Sequence, residues 1–243
     1  MVAEGRPTAA AAVASWLVRT AGLAIIVPTL DEEPSVRLHL AAARAAADEL
    51  IVSDGGSRDR TREVAAELGA TVVRGTPGRG PQLNRGAAAT DAEILLFLHA
   101  DTRLPGGAAE AVRAAIAGGS CGGGFCVRFE PPTAWMRVGT AIVNARTRAT
   151  RLPLGDQAQF AARGAFEALG GYRDWPVLED LDFARRLKRA GRVAILPLAV
   201  TTSARRFQRL GMARTVATNW LIWALYFAGV APARLARLYR PVR

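Results

Sequence analysis

Four acidic clusters stand out because each follows an apolar, strand-like run or opens a helical one. Asp31 and Glu32 come after Val27-Pro28-Thr29-Leu30, Asp54 leads Asp54-Gly55-Gly56-Ser57, Asp101 sits in His99-Ala100-Asp101-Thr102, and Glu179-Asp180 follows Trp175-Pro176. A carboxylate where a buried strand emerges suits a hard cation, which takes only one or two protein carboxylates when phosphates complete its shell. Asp101, directly beyond Ile94-Leu95-Leu96-Phe97-Leu98, fits that use. A carboxylate in the first turn of a helix is kept ionised by the positive end of the helix dipole, as a general base requires. Asp180 is the candidate, with Glu179 beside it. Asp54, backed by two glycines that permit a tight turn, suits hydrogen bonds to a base or ribose, and Ser57 or Asp59 can cap the helix that follows. His99 is either a strand-end histidine bonded to backbone or a group that tunes the site.

These residues need a frame that brings strand ends together. Short β-rich runs at 23–27, 50–53, 71–73 and 94–98 alternate with helical segments at 33–47, 59–68 and 81–88, the pattern of a mostly parallel sheet wrapped by helices. In such sheets ligands gather at the carboxyl ends of the strands. The second half is less regular. It holds a Gly-rich stretch at 118–124, a strand at 125–129, a helix at 134–148, a turn at Gly155-Asp156-Gln157, a strand at 159–162 and a short helix at 164–169. A helix from Glu179 to Ala190, a weak strand at 193–196, an arginine-bearing loop and an aromatic helix at 210–227 complete it. The expected division is a leader at 1–22, disordered or a short helix, one domain at 23–200, and an Arg-rich loop with a helical appendage at 201–243.

Composition narrows the classes. The chain has 243 residues, half of them hydrophobic and 22% charged, which points to a globular protein rather than disorder or a disulfide scaffold. The net charge of +11 comes almost wholly from arginine, Lys188 being the one lysine, and invites an anionic partner. The charge is not sharply localised along the sequence, and no zinc-finger spacing or aromatic-interleaved basic strand points to nucleic acid. Cys121 and Cys126 are badly spaced to pair with each other on a strand, so two thiols in a reducing compartment are expected, with the cytoplasm as location. Glu4 and Arg19 break a signal-peptide reading of the Ala-rich start, and the longest apolar window, 216–232, is interrupted by Thr218 and Asn219.

Taken in order, Val27-Pro28-Thr29-Leu30-Asp31-Glu32, Ser53-Asp54-Gly55-Gly56-Ser57-Arg58-Asp59-Arg60-Thr61, the Asp101 cluster and Glu179-Asp180 resemble the motif set of the family 2 glycosyltransferases, over about 23–196. The resemblance implies the α/β GT-A fold of nucleotide-diphospho-sugar transferases, a mostly parallel central sheet flanked by helices, here with an aromatic amphipathic helix added at the C-terminus. It also implies an inverting transfer from a nucleotide-sugar donor to a small-molecule or lipid-linked acceptor. Pro28, Thr29, Glu32 and Asp54 would line the nucleoside pocket, Arg79 would approach the base or phosphates, Asp101 would carry Mg2+ or Mn2+, and Asp180 would be the base. Many relatives have two or three acids where this chain has His99-Ala100-Asp101, so the metal would rest on one aspartate.

A closer likeness, to a bacterial subgroup labelled arsenosugar biosynthesis glycosyltransferases, rests on Gly78-Arg79-Gly80-Pro81-Gln82-Leu83-Asn84-Arg85-Gly86-Ala87, His99-Ala100-Asp101-Thr102, Leu154-Gly155-Asp156-Gln157 and Ser203-Ala204-Arg205-Arg206-Phe207. Asp156, Gln157 and Glu179 are candidate contacts for the acceptor or donor sugar. Arg205 and Arg206 offer guanidinium forks to the diphosphate. Two other readings stay open: a catalytically silent sugar-nucleotide-binding protein, and a nucleotidyltransferase, which calls for a Gly-rich basic loop directly after the first strand. The aromatic helix, with Trp220, Trp223, Tyr226 and Phe227 among arginines, reads as a peripheral membrane anchor on the cytoplasmic face or as a packing face for the core or a second subunit, a homodimer.

Overall fold

The computed structural model describes residues 21–205 and 211–238. Strands β1 (Leu23–Thr29), β2 (Glu49–Asp54), β3 (Thr71–Arg74) and β4 (Ile94–Phe97) form a parallel block, and helices α1 (Glu33–Ala46), α2 (Thr61–Glu67) and α3 (Arg79–Ala87) link them. Leu23, Ile25 and Val27 enter one hydrophobic cluster and Ala24 and Ile26 another. A strand buried on both faces reads as a continuous apolar run, as this one does.

The sheet has eight strands in the order β3-β2-β1-β4-β7-β6-β8-β5, where β5 is Thr102–Arg103, β6 Gly122–Glu130, β7 Phe160–Ala162 and β8 Val193–Ser203. Pairing turns antiparallel at β4–β7 and β7–β6, parallel again at β6–β8, and antiparallel at β5–β8. The remaining helices are α4 (Ala108–Ala117), α5 (Ala134–Thr150), α6 (Arg163–Ala168), α7 (Glu179–Ala190), α8 (Met212–Phe227) and α9 (Pro232–Leu235). This is the expected α/β layering. Several elements differ from what the sequence suggests. Strand β5 and helices α4 and α9 are not expected from it, β6 starts three residues earlier at Gly122, and β8 runs through Ser203, so the arginine segment begins on a strand rather than a loop.

The glycines at the start of β6 belong to the strand because nothing larger fits. A Cβ on Gly123 would lie 2.1 Å from the Ala194 carbonyl oxygen, and one on Gly122 would lie 2.4 Å from that of Phe160. Glycine in a strand marks such a close backbone approach. Beneath β4 and α7, the rings of Phe97, Phe166, Tyr172 and Phe183 cluster, with Tyr172 4.4 Å from Phe183 and edge-on to Phe97 at 5.0 Å. Such pairs add about 0.5–1.5 kcal/mol each beyond their burial. They fix the floor on which the Glu179-Asp180 turn rests. Cys121 and Cys126 are free.

Candidate active site

The loops after β1 and β2 are tied into one unit. Thr29 Oγ1 donates to Asp54 Oδ1 at 3.2 Å, Ser57 Oγ also donates to it, and the Gly56 and Ser57 N–H groups reach Asp54 Oδ2 at 2.9 Å. Burial alone would raise the Asp54 pKa, but these bonds outweigh it and hold the carboxyl below its ordinary value. Asp54 is 0% exposed, so its carboxylate shapes the loop from within. Asp59, rather than Ser57, serves α2, accepting the Thr61 N–H at 3.0 Å. Gln82 on α3 adds a second tie: its Nε2 donates at 2.8 Å to the carbonyls of both Thr29 and Ser53, while its Oε1 accepts the Gly78 N–H at 3.2 Å. Pro28 is partly exposed at the same sheet edge.

Asp101 is partly exposed just beyond β4. Its Oδ2 faces Arg205 at 3.7 Å, and Arg205 also reaches Ser35 Oγ at 3.4 Å, which in turn donates to Glu32 Oε2 at 2.7 Å. Glu32, Arg205 and Asp101 thus lie along one edge. Arg206 lies outside the described residues. A cavity of about 180 Å3, lined by His39, Arg103, Glu130 and residues 201–203, touches Asp101 and none of the other candidate residues.

Asp180 enters from the opposite half. Its Oδ2 accepts the Gly155 N–H at 2.8 Å and its Oδ1 the Leu181 N–H at 2.7 Å. Gln159 holds the turn from below, donating to the carbonyls of Pro153 at 2.8 Å and Asp180 at 3.0 Å while accepting the Tyr172 hydroxyl at 2.9 Å. A Cβ on Gly155 would meet His99 Nε2 at 2.8 Å and Asp180 Oδ2 at 3.2 Å, so His99, Gly155 and Asp180 are neighbours. Burial, helped by the charge of Arg79 and opposed by Asp101 and Asp180, lowers the His99 pKa to about 4. Its imidazole is neutral at pH 7 and joins the two halves without adding charge.

Glu179 is 2% exposed and pairs with Arg79 at 3.1 Å. Burial pushes its pKa up, against Arg79 and with the help of Asp180. Its contact is therefore with Arg79, at the start of α3. Gln157 is fully buried and braces its own loop: its Oε1 accepts from Leu154 N–H at 3.1 Å, Thr147 Oγ1 at 3.0 Å and Arg146 at 3.3 Å, and its Nε2 donates to the Phe125 carbonyl at 3.0 Å. Asp156 differs. Its Oδ1 is buried with no hydrogen-bond partner, and burial, countered by Arg146 and reinforced by Asp180, raises its pKa to about 6.

That shift has a testable sign. Between the ordinary 3.8 and about 6, the native state keeps a proton that the unfolded chain releases, so the stability this carboxyl contributes is present at low pH and lost as pH rises through 6. Asp156→Asn, which cannot ionise, should raise Tm relative to the native chain above pH 6 and leave it nearly unchanged at pH 4. Equal effects at both ends would remove the buried-carboxyl account.

Gln82, Gln159 and Arg146 carry no role in the sequence reading. Gln82 appears there only as a motif letter, and nothing in the spacing of Gln159 or Arg146 signals that they brace the turn and face Asp156.

Comparison with known proteins agrees with this fold. Solved structures share the fold: glucosyl-3-phosphoglycerate synthase from Mycobacterium tuberculosis, in complex with Mn2+, uridine diphosphate and glucosyl-3-phosphoglycerate, aligns with a TM-score of 0.59 at 22% identity, covering 90% of this chain and 85% of that one. A mannosyltransferase from Pyrobaculum calidifontis, in complex with GDP-Man and Mn2+, aligns at 0.62 and 18% identity, covering 89% and 68%. Uncharacterized glycosyltransferases of Mycobacterium bovis and Mycobacterium tuberculosis are 33% identical over 156 residues, which span 60% of this chain and 70% of theirs. The sequence model described as Glycosyl transferase family 2 matches residues 24–164. With the fold, the two-halved site and a family match across more than half its length, the chain belongs to glycosyl transferase family 2.

Proposed function

We propose that this glycosyltransferase performs a single-displacement, inverting transfer from a nucleoside-diphosphate sugar to an acceptor hydroxyl, with Asp180 as the base. The observation that carries the reading is the meeting of a donor edge (Glu32, Arg205, Asp101) and a separate carboxylate, Asp180, at one neutral histidine. Pro28, Thr29, Glu32 and the loop that Asp54 shapes receive the nucleoside. Arg79, steadied by Glu179, and Arg205 face the diphosphate, with Arg206 assigned beside it from the sequence. Asp156 borders the sugar and acceptor side, on the loop that Gln157 holds. Asp180 takes the acceptor proton as the oxygen attacks the anomeric carbon and the bond to the diphosphate breaks on the other face.

Mg2+ or Mn2+ suits Asp101. Among the described residues no group of three or more His, Cys, Asp or Glu holds a metal unaided, while Asp101 offers an oxygen ligand whose protein contacts are long ones, to Thr102 Oγ1 at 3.5 Å and Arg205 at 3.7 Å. One carboxylate with substrate phosphates is an ordinary shell for these ions. When bound, the cation supplies neutralisation of the charge growing on the leaving diphosphate. The fold neighbours held with Mn2+ and a nucleotide or sugar nucleotide support the assignment. The likeness to the arsenosugar subgroup is compatible with this chemistry and leaves nucleotide, sugar and acceptor to experiment. We also propose 23–200 as the catalytic unit, with 201–243 appended.

A panel of sugar nucleotides screened by thermal shift with Mn2+ tests the reading. A donor at ~100 times its Kd should stabilise the protein by roughly 2.7 kcal/mol. No shift from any uridine, guanosine, adenosine, cytidine or thymidine diphosphate sugar would overturn it, and a shift with neither transfer nor donor hydrolysis would favour the silent binder.

A further inference from the structure

The positive charge that looks dispersed along the sequence is concentrated in two stretches. Residues 131–155 hold Arg137, Arg146, Arg148 and Arg151 and no acid, and residues 201–243 hold eight arginines and no acid. Together these exceed the net +11 of the whole chain, so the rest of the protein is close to neutral. The same stretches supply α5 and α8.

Each helix has one face on the protein and one apolar face in solvent. Helix α5 rests on β6 through Met136 and Thr147, with Asn144 bonded both ways to the Val127 backbone at 2.9 and 3.0 Å. Away from that contact, Trp135, Val138 and Ile142 are 76%, 52% and 57% exposed, and their spacing of three and four residues sets them in one stripe. Helix α8 buries Ile222 against Val177 and Leu235, and on its other side Val216, Trp220 and Phe227 lie open, again at spacings of four and seven. The Arg146 guanidinium stands 4.9 Å from the Trp223 ring centroid. Arg146 is one turn beyond Ile142 and Trp223 one turn beyond Trp220, so this contact joins the two stripes along a shared edge.

We propose that α5 and α8 form one docking face for an anionic lipid bilayer. Apolar stripes bearing tryptophan, on helices drawn from stretches that carry arginine and no acid, are what a chain lying in the headgroup region presents, the arginines being drawn to lipid phosphates. A second copy of the chain would oppose one arginine-rich, acid-free stretch with another. No helix among the described residues is long and apolar enough to cross a membrane, so the contact lies on the bilayer and does not span it. Arg146 also donates to Gln157 and acts on Asp156 and Asp180, which puts the face beside the catalytic turn. In the part that rests on Asp180 as base, the acceptor hydroxyl reaches the site from the lipid side.

The full chain is floated at moderate salt with vesicles of phosphatidylcholine plus phosphatidylglycerol, and with phosphatidylcholine alone. Flotation is expected with the anionic vesicles only. Ile142→Glu and Trp220→Glu should each cut the bound fraction by about tenfold or more, with circular dichroism and Tm unchanged because both side chains are in solvent. Arg148→Glu should weaken binding, whereas Arg60→Glu, the same charge change outside both stretches, should not. Asp180→Asn should float like the native chain, so a failed catalytic assignment leaves this result untouched. Absence of flotation, or native-like flotation of Ile142→Glu, overturns the proposal. So does concentration-dependent self-association without vesicles that Ile142→Glu abolishes, which would give the face to a second copy.

Discussion

Asp180→Asn is expected to lower kcat by about 10²–10⁴-fold with donor affinity near that of the native chain, the pattern of a lost general base. The substitution is mild in structure. Asn keeps an oxygen for the Gly155 N–H, which Asp180 Oδ2 accepts at 2.8 Å, and Gln159 binds the backbone carbonyl of residue 180, which does not change. What goes is the capacity to take a proton, together with the acceptor for the Leu181 N–H, which Asp180 Oδ1 holds at 2.7 Å. Glu179→Gln is the informative companion. Glu179 pairs with Arg79 at 3.1 Å and is buried, so its loss should loosen Arg79 and weaken donor binding more than the chemical step. A kcat for Asp180→Asn within a few-fold of the native value, measured with saturating donor and acceptor, would move the base elsewhere.

Chelation should have an effect as large. EDTA is expected to abolish transfer and Mn2+ or Mg2+ to restore it, because the proposed metal position has one protein carboxylate and depends on donor phosphates for the rest of its ligands. From this follows a coupling between the two ligands. Mn2+ alone should shift Tm little, donor alone modestly, and the two together by more than the sum. Asp101→Asn should erase that surplus and lower donor affinity along with rate. The chelated protein should stay folded, since Arg205 already faces Asp101 at 3.7 Å and balances part of its charge. Full activity in chelator, or an Asp101→Asn variant that binds donor normally with metal, would end the assignment.

The first half of the fold is easily read in the sequence because β1, β2 and β4 are buried, apolar and bounded by turn residues, and their polar ends fall on one edge by the geometry of parallel strands. The second half is harder to read for local reasons. Gly122–Gly124 looks like a linker, yet it is strand, since only the packing of β6 against β7 and β8 explains why side chains are missing there. Helix α4 has alanine at six of its ten positions, which blurs the apolar periodicity that would reveal it. In the site, acidic residues at strand and helix ends announce themselves by position. The pairings do not: that Asp54 is turned inward on Thr29, that Glu179 serves Arg79, and that Asp156 lies beside Asp180 and Arg146 are facts of tertiary packing between segments well separated along the chain.

The amide of Gln82 has a bearing on redesign. One side chain clasps the ends of β1 and β2 and the turn that leads into α3, so these three segments behave as a single joint. Transplanting a nucleotide-recognition loop from a relative into either strand end alone would leave that clasp with a carbonyl out of reach. If these loops receive the nucleoside as proposed, the smallest exchangeable cassette for altering donor choice is both loops together with position 82, and a graft that respects it can leave the half that carries Asp180 as it stands.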